Sequence, residues 1–148
     1  MFKTSDAIKF VNEKFSRIDK AIVSRLQLIG EQFVRDARTK TKEQGGFGDQ
    51  TGNLRSSIGF VILKDGETTH EDFQLASGGT DRETGLLRGK AEIAKLKGKY
   101  PSGYVLLCVA GMEYAADVEK KNKDVITGSS LIAREALNKA IQTIKDKI

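Results

Sequence analysis

His70 and Cys108 come first for any chemistry, because the chain of 148 residues has one histidine and one cysteine. Zinc-type sites need several such ligands at set spacings, so that class is closed. A serine or cysteine nucleophile usually needs a base, most often histidine, and His70 is then the sole candidate. It lies in the polar run TTHEDF beside Glu71 and Asp72, where an exposed strand residue is the plainer reading. Cys108 sits in the middle of YVLLCVA, where a small core residue is expected rather than a reactive thiol. Carboxylate pairs such as Glu71/Asp72 and Asp117/Glu119 are unsurprising in a chain with 20 acids, and no Asp-rich loop offers a hard-cation site. The run GGFGDQTGN lacks the lysine of a phosphate loop and precedes a strand instead of opening a helix. No enzymatic activity, metal or cofactor is expected.

Charge is the next resource. The net charge is +5, and residues 82–99 carry Arg82, Arg88, Lys90, Lys95, Lys97 and Lys99 against Glu83 and Glu92. Such a cluster suits phosphate or an acidic protein surface, unless it is simply solvated. A single cysteine excludes an internal disulfide framework. No stretch approaches the roughly 20 apolar residues of a membrane span. A soluble protein made and kept in a cytoplasm is the expectation. Trp is absent and aromatics are 7%, which argues against a large aromatic ligand cage.

The elements that must position these residues follow from periodicity. Ile8, Val11, Phe15, Ile18, Ile22, Leu26, Ile29, Phe33 and Ala37 step by three or four, one apolar stripe at the helical period. Ser5 is a candidate cap, with Asp6 favourable in the first turn. A helix of this length either breaks, near Arg17–Lys20 or Gly30, or sends one end out to meet another molecule. A stripe this long and narrow hints at burial against a neighbouring subunit; the plainer alternative is a core helix, above all for its C-terminal half. After the glycines of residues 45–48, Ser57 to Lys64 reads as a strand with Ile58, Phe60 and Ile62 on one face and Val61 and Leu63 on the other. Asp65-Gly66 is a hairpin turn, and the polar return strand is expected at an edge, giving a hairpin over 55–75. Residues 76–103 read as a long loop. Gly85 to Lys97 offers a short helix that Gly89 weakens. YVLLCVA, residues 104–110, reads as a central strand buried on both faces. A last helix spans 129–147, with Thr127 or Ser129 as cap and Leu131, Leu137, Ile141, Ile144 and Ile148 as its stripe, Ala133 and Ala140 beside it. The whole is one α+β domain with a small antiparallel sheet packed by the N- and C-terminal helices.

Three segments occur in order: TGNLRSSI (Thr51–Ile58), GMEYAADVE (Gly111–Glu119) and TGSSLIAREALNKAI (Thr127–Ile141). Together they resemble the head–tail joining, or tail-completion, proteins of long-tailed bacteriophages and prophages. The likeness covers most of the chain outside residues 64–103. It implies a virion-assembly subunit without a catalytic site, forming a homo-oligomeric ring at the neck. Its partners would be copies of itself, the connector or adaptor, and the tail-tube proteins. It would be assembled in the bacterial cytoplasm, not in a membrane.

Within that resemblance Thr51 and Asn53 would bond backbone around the Gly52 turn. Leu54 and Ile58 would anchor the strand in the core, and Arg55 would pair with an acid such as Glu119. Tyr114 would pack at the sheet edge. The basic segment would face the DNA channel or an acidic partner. The alternative is a small basic nucleic-acid-binding module, which the same lysines and arginines would serve.

Overall fold

Apolar residues spaced by three and four fold Thr4–Thr39 into a single rod. In this computed structural model the described residues are 3–39, 53–76, 78–111 and 126–147. Helix α1, Thr4–Thr39, runs 36 residues without interruption, about 54 Å at 1.5 Å per residue. Neither candidate break is used. Gly30 stays helical and lets α1 settle on the sheet: a Cβ there would lie 2.5 Å from Phe60 Cδ2. The helix start is closed by Asp6, whose Oδ2 accepts the Lys3 N–H at 3.2 Å. This is the acid-to-cap half of a capping box, so Asp6 takes the part expected of Ser5.

Among the described residues the sheet has three strands, β1 (Ile58–Lys64), β2 (Glu67–Phe73) and β3 (Tyr104–Ala110), in the order β2-β1-β3 and antiparallel throughout. The fold is α+β. Alternation works in β1 as its sequence requires. Ile58, Phe60 and Ile62 meet Leu26, Phe33, Val34 and Ala37 of α1, while Val61 and Leu63 join Ile93, Leu107 and Val109 on the opposite face. The hairpin turns at Asp65 and Gly66, both at positive φ (50° and 82°), as a two-residue primed turn demands. Asp65 also holds the start of β3: its N–H donates to Gly103 O, and its Oδ1 accepts the Gly103 N–H, each at 2.9 Å.

Two expectations about the middle of the chain are corrected. Residues 82–97 are not loop but a 16-residue helix, α3, Arg82–Lys97; it follows α2, the single turn Asn53–Ser56. Gly89 counted against this helix on propensity, yet it is what seats it. A Cβ there would fall 2.6 Å from Ser57 O and 2.6 Å from Phe73 Cε1, and a Cβ on Gly111 would meet Gly89 Cα at 2.5 Å. β1, not β3, is the central strand. The apolar run of β3 reflects cover on both faces, Leu106 and Cys108 towards the α1 side and Leu107 and Val109 towards α3. β2 is an edge strand, as its polarity indicates.

The last helix, α4, spans Thr127–Lys147 and packs along α1. Its inner face keeps only part of the expected stripe, Leu137 with Ala133 and Ala140 beside it. Ser129 and Ala140 are buried, and Ala133 and Leu137 pack against the α1-side core, whereas Leu131 is 61% exposed and Ile141 42%. Small residues let two helix backbones approach; the large ones at 131 and 141 are left outside. The side chain of Ile144, and Ile148, lie outside the described residues.

The sheet ends at Asp19. Lys64 Nζ sits 2.7 Å from its Oδ1, and the Tyr104 hydroxyl donates to the same carboxylate. Lys64 holds the Asp19 carboxyl below its usual range, with the Tyr104 bond adding to this; Asp19 in turn raises Lys64 and Tyr104. A carboxyl depressed on folding stabilises above its unfolded range, and that contribution disappears as pH falls through the native value. The raised Lys64 and Tyr104 act at the other end, their contribution vanishing as alkaline pH climbs through their native values. The cluster is solvent-exposed, so the effect is small. Asp19→Asn is expected to lower the melting temperature slightly at neutral pH, with the gap to wild type closing in strong acid. A gap that stays constant into acid would refute this electrostatic account.

Candidate functional site

His70 faces the α1 side of β2, its ring centroid 5.5 Å from that of Phe60 and tilted by 31°. It is half-buried rather than exposed. Cys108 is partly buried against the core, and loss of hydration pushes its thiol up to about 12. A thiol so poorly ionised is a weak nucleophile. Among the described residues, no group of three or more His, Cys, Asp or Glu is placed to hold a metal.

The TGNLRSSI segment is organised by its serines, which motif reading passed over. Leu54 is 1% exposed and Ile58 fully buried, as anchors should be. Ser56 and Ser57 are fully buried too. Ser57 Oγ donates to Leu54 O at 2.7 Å, closing the α2 turn, and Ser56 Oγ accepts the Ala76 N–H at 2.8 Å. Buried hydroxyls with partners are tolerated where unpaired ones are costly. They tie the start of β1 to the chain leaving β2. Arg55 Nε donates to Arg38 O at 2.9 Å, which places its guanidinium at the C-terminal end of α1. Thr51, Tyr114 and Glu119 lie outside the described residues, as does the side chain of Asn53, so the expected Arg55–Glu119 pair falls there as well.

The six cations of residues 82–99 do not form one face. Five lie on α3, and Lys99 follows it. At 100° per residue Arg88 and Lys95 fall on one flank of the helix, and Lys90 and Lys97 on the other. Arg82 reaches back to Ala76 O at 3.0 Å. Lys95 lies 3.4 Å from Glu92, and Lys90 lies 3.9 Å from Glu71.

Two surfaces stand out instead. The first is the N-terminal half of α1, which runs on past the sheet end at Asp19. There the apolar stripe continues uncovered: Ile8 is 57% exposed, Val11 45%, Phe15 66% and Ile18 43%. Between Ile8 and Ile22 the steps are strictly three, four, three, four, the a/d pattern of a helix that packs on another helix. From Ile22 to Leu26 the step becomes four, and from there the same face lies on the sheet. The second surface is a cleft of about 550 Å³ where the last turns of α1 meet α2 and the end of β2, with Arg35, Arg38 and Arg55 in its wall. Sequence reading singled out Arg55 alone of these three, because the others come from a different element and share no motif with it.

Comparison of the chain with protein-family models, with curated proteins and with solved structures finds no match in any of the three. No helix among the described residues is long and apolar enough to cross a membrane.

Proposed function

We propose that the protein is a structural assembly subunit, a neck or tail-completion protein that joins a phage head to its tail as a homo-oligomeric ring. The uncovered stripe on α1 residues 8–18 carries this reading. An apolar helix face that runs about 20 Å past the end of the sheet, at 1.5 Å per residue, is left exposed by the described residues. Its a/d spacing asks for a helix from a neighbouring copy. The α+β fold and the order of the three motif segments agree with such a subunit. In a ring the cations of α3 are repeated in every copy, so a modest charge becomes a continuous field towards DNA or an acidic partner.

Negative-stain electron microscopy of the purified protein across a concentration series tests the proposal. Closed rings at high concentration are expected. The rival, a nucleic-acid-binding module, has less support, because its cations are split between two flanks of α3 and some already face carboxylates. It predicts a monomer or dimer with steeply salt-dependent DNA binding, and that outcome would replace the assembly reading.

A further inference from the structure

We infer that the exposed half of α1 pairs with the same half of α1 from a second copy, the two helices running antiparallel about a two-fold axis. This rests on the assembly reading and adds to it the partner element and its direction.

The end of the sheet decides the direction. The face that carries Ile8, Val11, Phe15 and Ile18 continues along one unbroken helix into Ile22, Leu26 and Phe33, which pack with Ile58, Phe60 and Ile62 of β1. The changeover falls at Asp19, where Lys64, the last residue of β1, closes on the helix. A second helix laid on the exposed face sits ~10 Å from α1. Running parallel, it would continue past Ile18 into the space that β1 and β3 fill. Running antiparallel, its first turn stops at the end of the sheet, and its own sheet lies beyond the first turn of this copy. Both copies then bury the same patch, as a two-fold contact requires.

In that arrangement each a position meets a d position: Ile8 faces Ile18 of the second copy, and Val11 faces Phe15. The flanks agree. Antiparallel helices bring e to e and g to g, so Asn12 meets Asn12, Ser5 meets Asp19, and Ala7 meets Ala21. The positive end of the arriving helix comes to the Asp19 carboxylate, a favourable contact. Lys14 meets Lys14, but both are exposed, with long side chains free to part. A parallel pair would instead gain Lys14 against Asp19, a surface ion pair worth less than ~1 kcal/mol, which does not offset a collision with the sheet. Area sets the strength. At ~200 Å² for a whole side chain of this size, exposures of 57%, 45%, 66% and 43% leave ~400 Å² on each copy. Two copies bury ~800 Å², short of the ~1,200 Å² of a stable interface. The pair is therefore weak alone, and a ring built from such pairs needs a second contact between them.

Disulfide trapping in the full chain tests the pairing. Proteins carrying Ile8→Cys and Ile18→Cys are mixed in equal amounts at high concentration and oxidised. Peptide mass spectrometry then maps the links and separates any that involve Cys108. Both positions are exposed, so both variants keep the fold. Links between position 8 of one copy and position 18 of the other should outnumber same-position links at least about tenfold, because equal positions lie ~15 Å apart along an antiparallel pair. Adding Val11→Glu and Phe15→Glu to both proteins should remove the mixed link. Same-position links that equal or exceed the mixed ones, or mixed links that survive the two glutamates, would overturn the antiparallel pairing. If light scattering still shows assembly in that case, the assembly reading stands without it. A mass of one subunit at every concentration, with no mixed link, would overturn both.

Discussion

Val11→Glu combined with Phe15→Glu is expected to leave a folded subunit that no longer assembles. Both side chains are exposed in the single subunit, 45% and 66%, so their removal empties no core. Glutamate is also a good helix former, and surface changes of this kind usually shift stability by less than about 0.5 kcal/mol. The melting temperature of the dilute protein should hardly move. Assembly should respond very differently. Fully burying a side chain of this size is worth about 1.5–3 kcal/mol, so completing the burial of a half-exposed one contributes about 1 kcal/mol. Losing two removes about 2 kcal/mol from each contact. Pressing two carboxylates into an apolar seam adds a further penalty of similar size or larger. At tenfold per 1.4 kcal/mol, the concentration for half-assembly should rise by at least about 100-fold. Light scattering across a dilution series reads this directly. Unchanged assembly in a folded double variant would show that the helix extension is not the contact.

Gly89→Ala is expected to give the largest loss of stability for the smallest change in mass. On helix propensity alone it should help by about 1 kcal/mol. The packing says otherwise. The added methyl would sit 2.6 Å from the Ser57 carbonyl oxygen and 2.6 Å from the Phe73 ring, and a carbonyl in a strand lead-in cannot rotate away as a side-chain tip can. α3 would have to lift off the sheet, opening the face where Ile93 packs with Val61 and Leu63. Overpacking of this kind costs about 1–3 kcal/mol, and the lost burial adds to it. A net loss of about 2 kcal/mol should lower the melting temperature by about 6 °C. Gly98→Ala is the control. Gly98 has ordinary helical geometry (φ −64°) and nothing within 4 Å of an added Cβ. That change should be neutral or slightly stabilising. Calorimetry on both variants checks the pair; a stabilised Gly89→Ala would refute the close approach.

The same glycine explains where sequence reading of the fold succeeded and where it did not. Long apolar periodicities are local and survived into the structure. The stripe of α1, the two faces of β1 and the Asp65-Gly66 turn all lie where their spacing puts them. α3 was obscured because Gly89 looks like a helix breaker when only propensity is counted; its reason is the close approach of Ser57 and Phe73, which lie far away in sequence. β3 was placed centrally because an apolar run reports cover by helices, not the number of paired neighbours. In α4 the large residues drew the expected stripe, but of them Leu131 and Ile141 are exposed while Leu137 packs inward, and the small residues Ser129, Ala133 and Ala140 share the inner face.

The candidate surfaces divide in the same way. The apolar stripe of α1 was visible in the sequence because it belongs to one continuous helix, though its spacing did not say which half stays exposed. The arginine cleft was not, because Arg38 and Arg55 meet only after α1, α2 and β2 have been brought together. Ser56 and Ser57 carried a recognisable motif, but their part is to bond Ala76 and Leu54, which no spacing rule connects to them.

Amide hydrogen exchange over residues 4–18, compared between dilute and concentrated protein, tests the central claim most directly. If this half of α1 is the seam between copies, its amides exchange quickly when the subunit is single and become strongly protected as the scattering mass rises. The amides of residues 22–37, already packed on the sheet, should change little. A rise in mass that leaves residues 4–18 unprotected, or a mass that stays at one subunit at every concentration, would contradict the account.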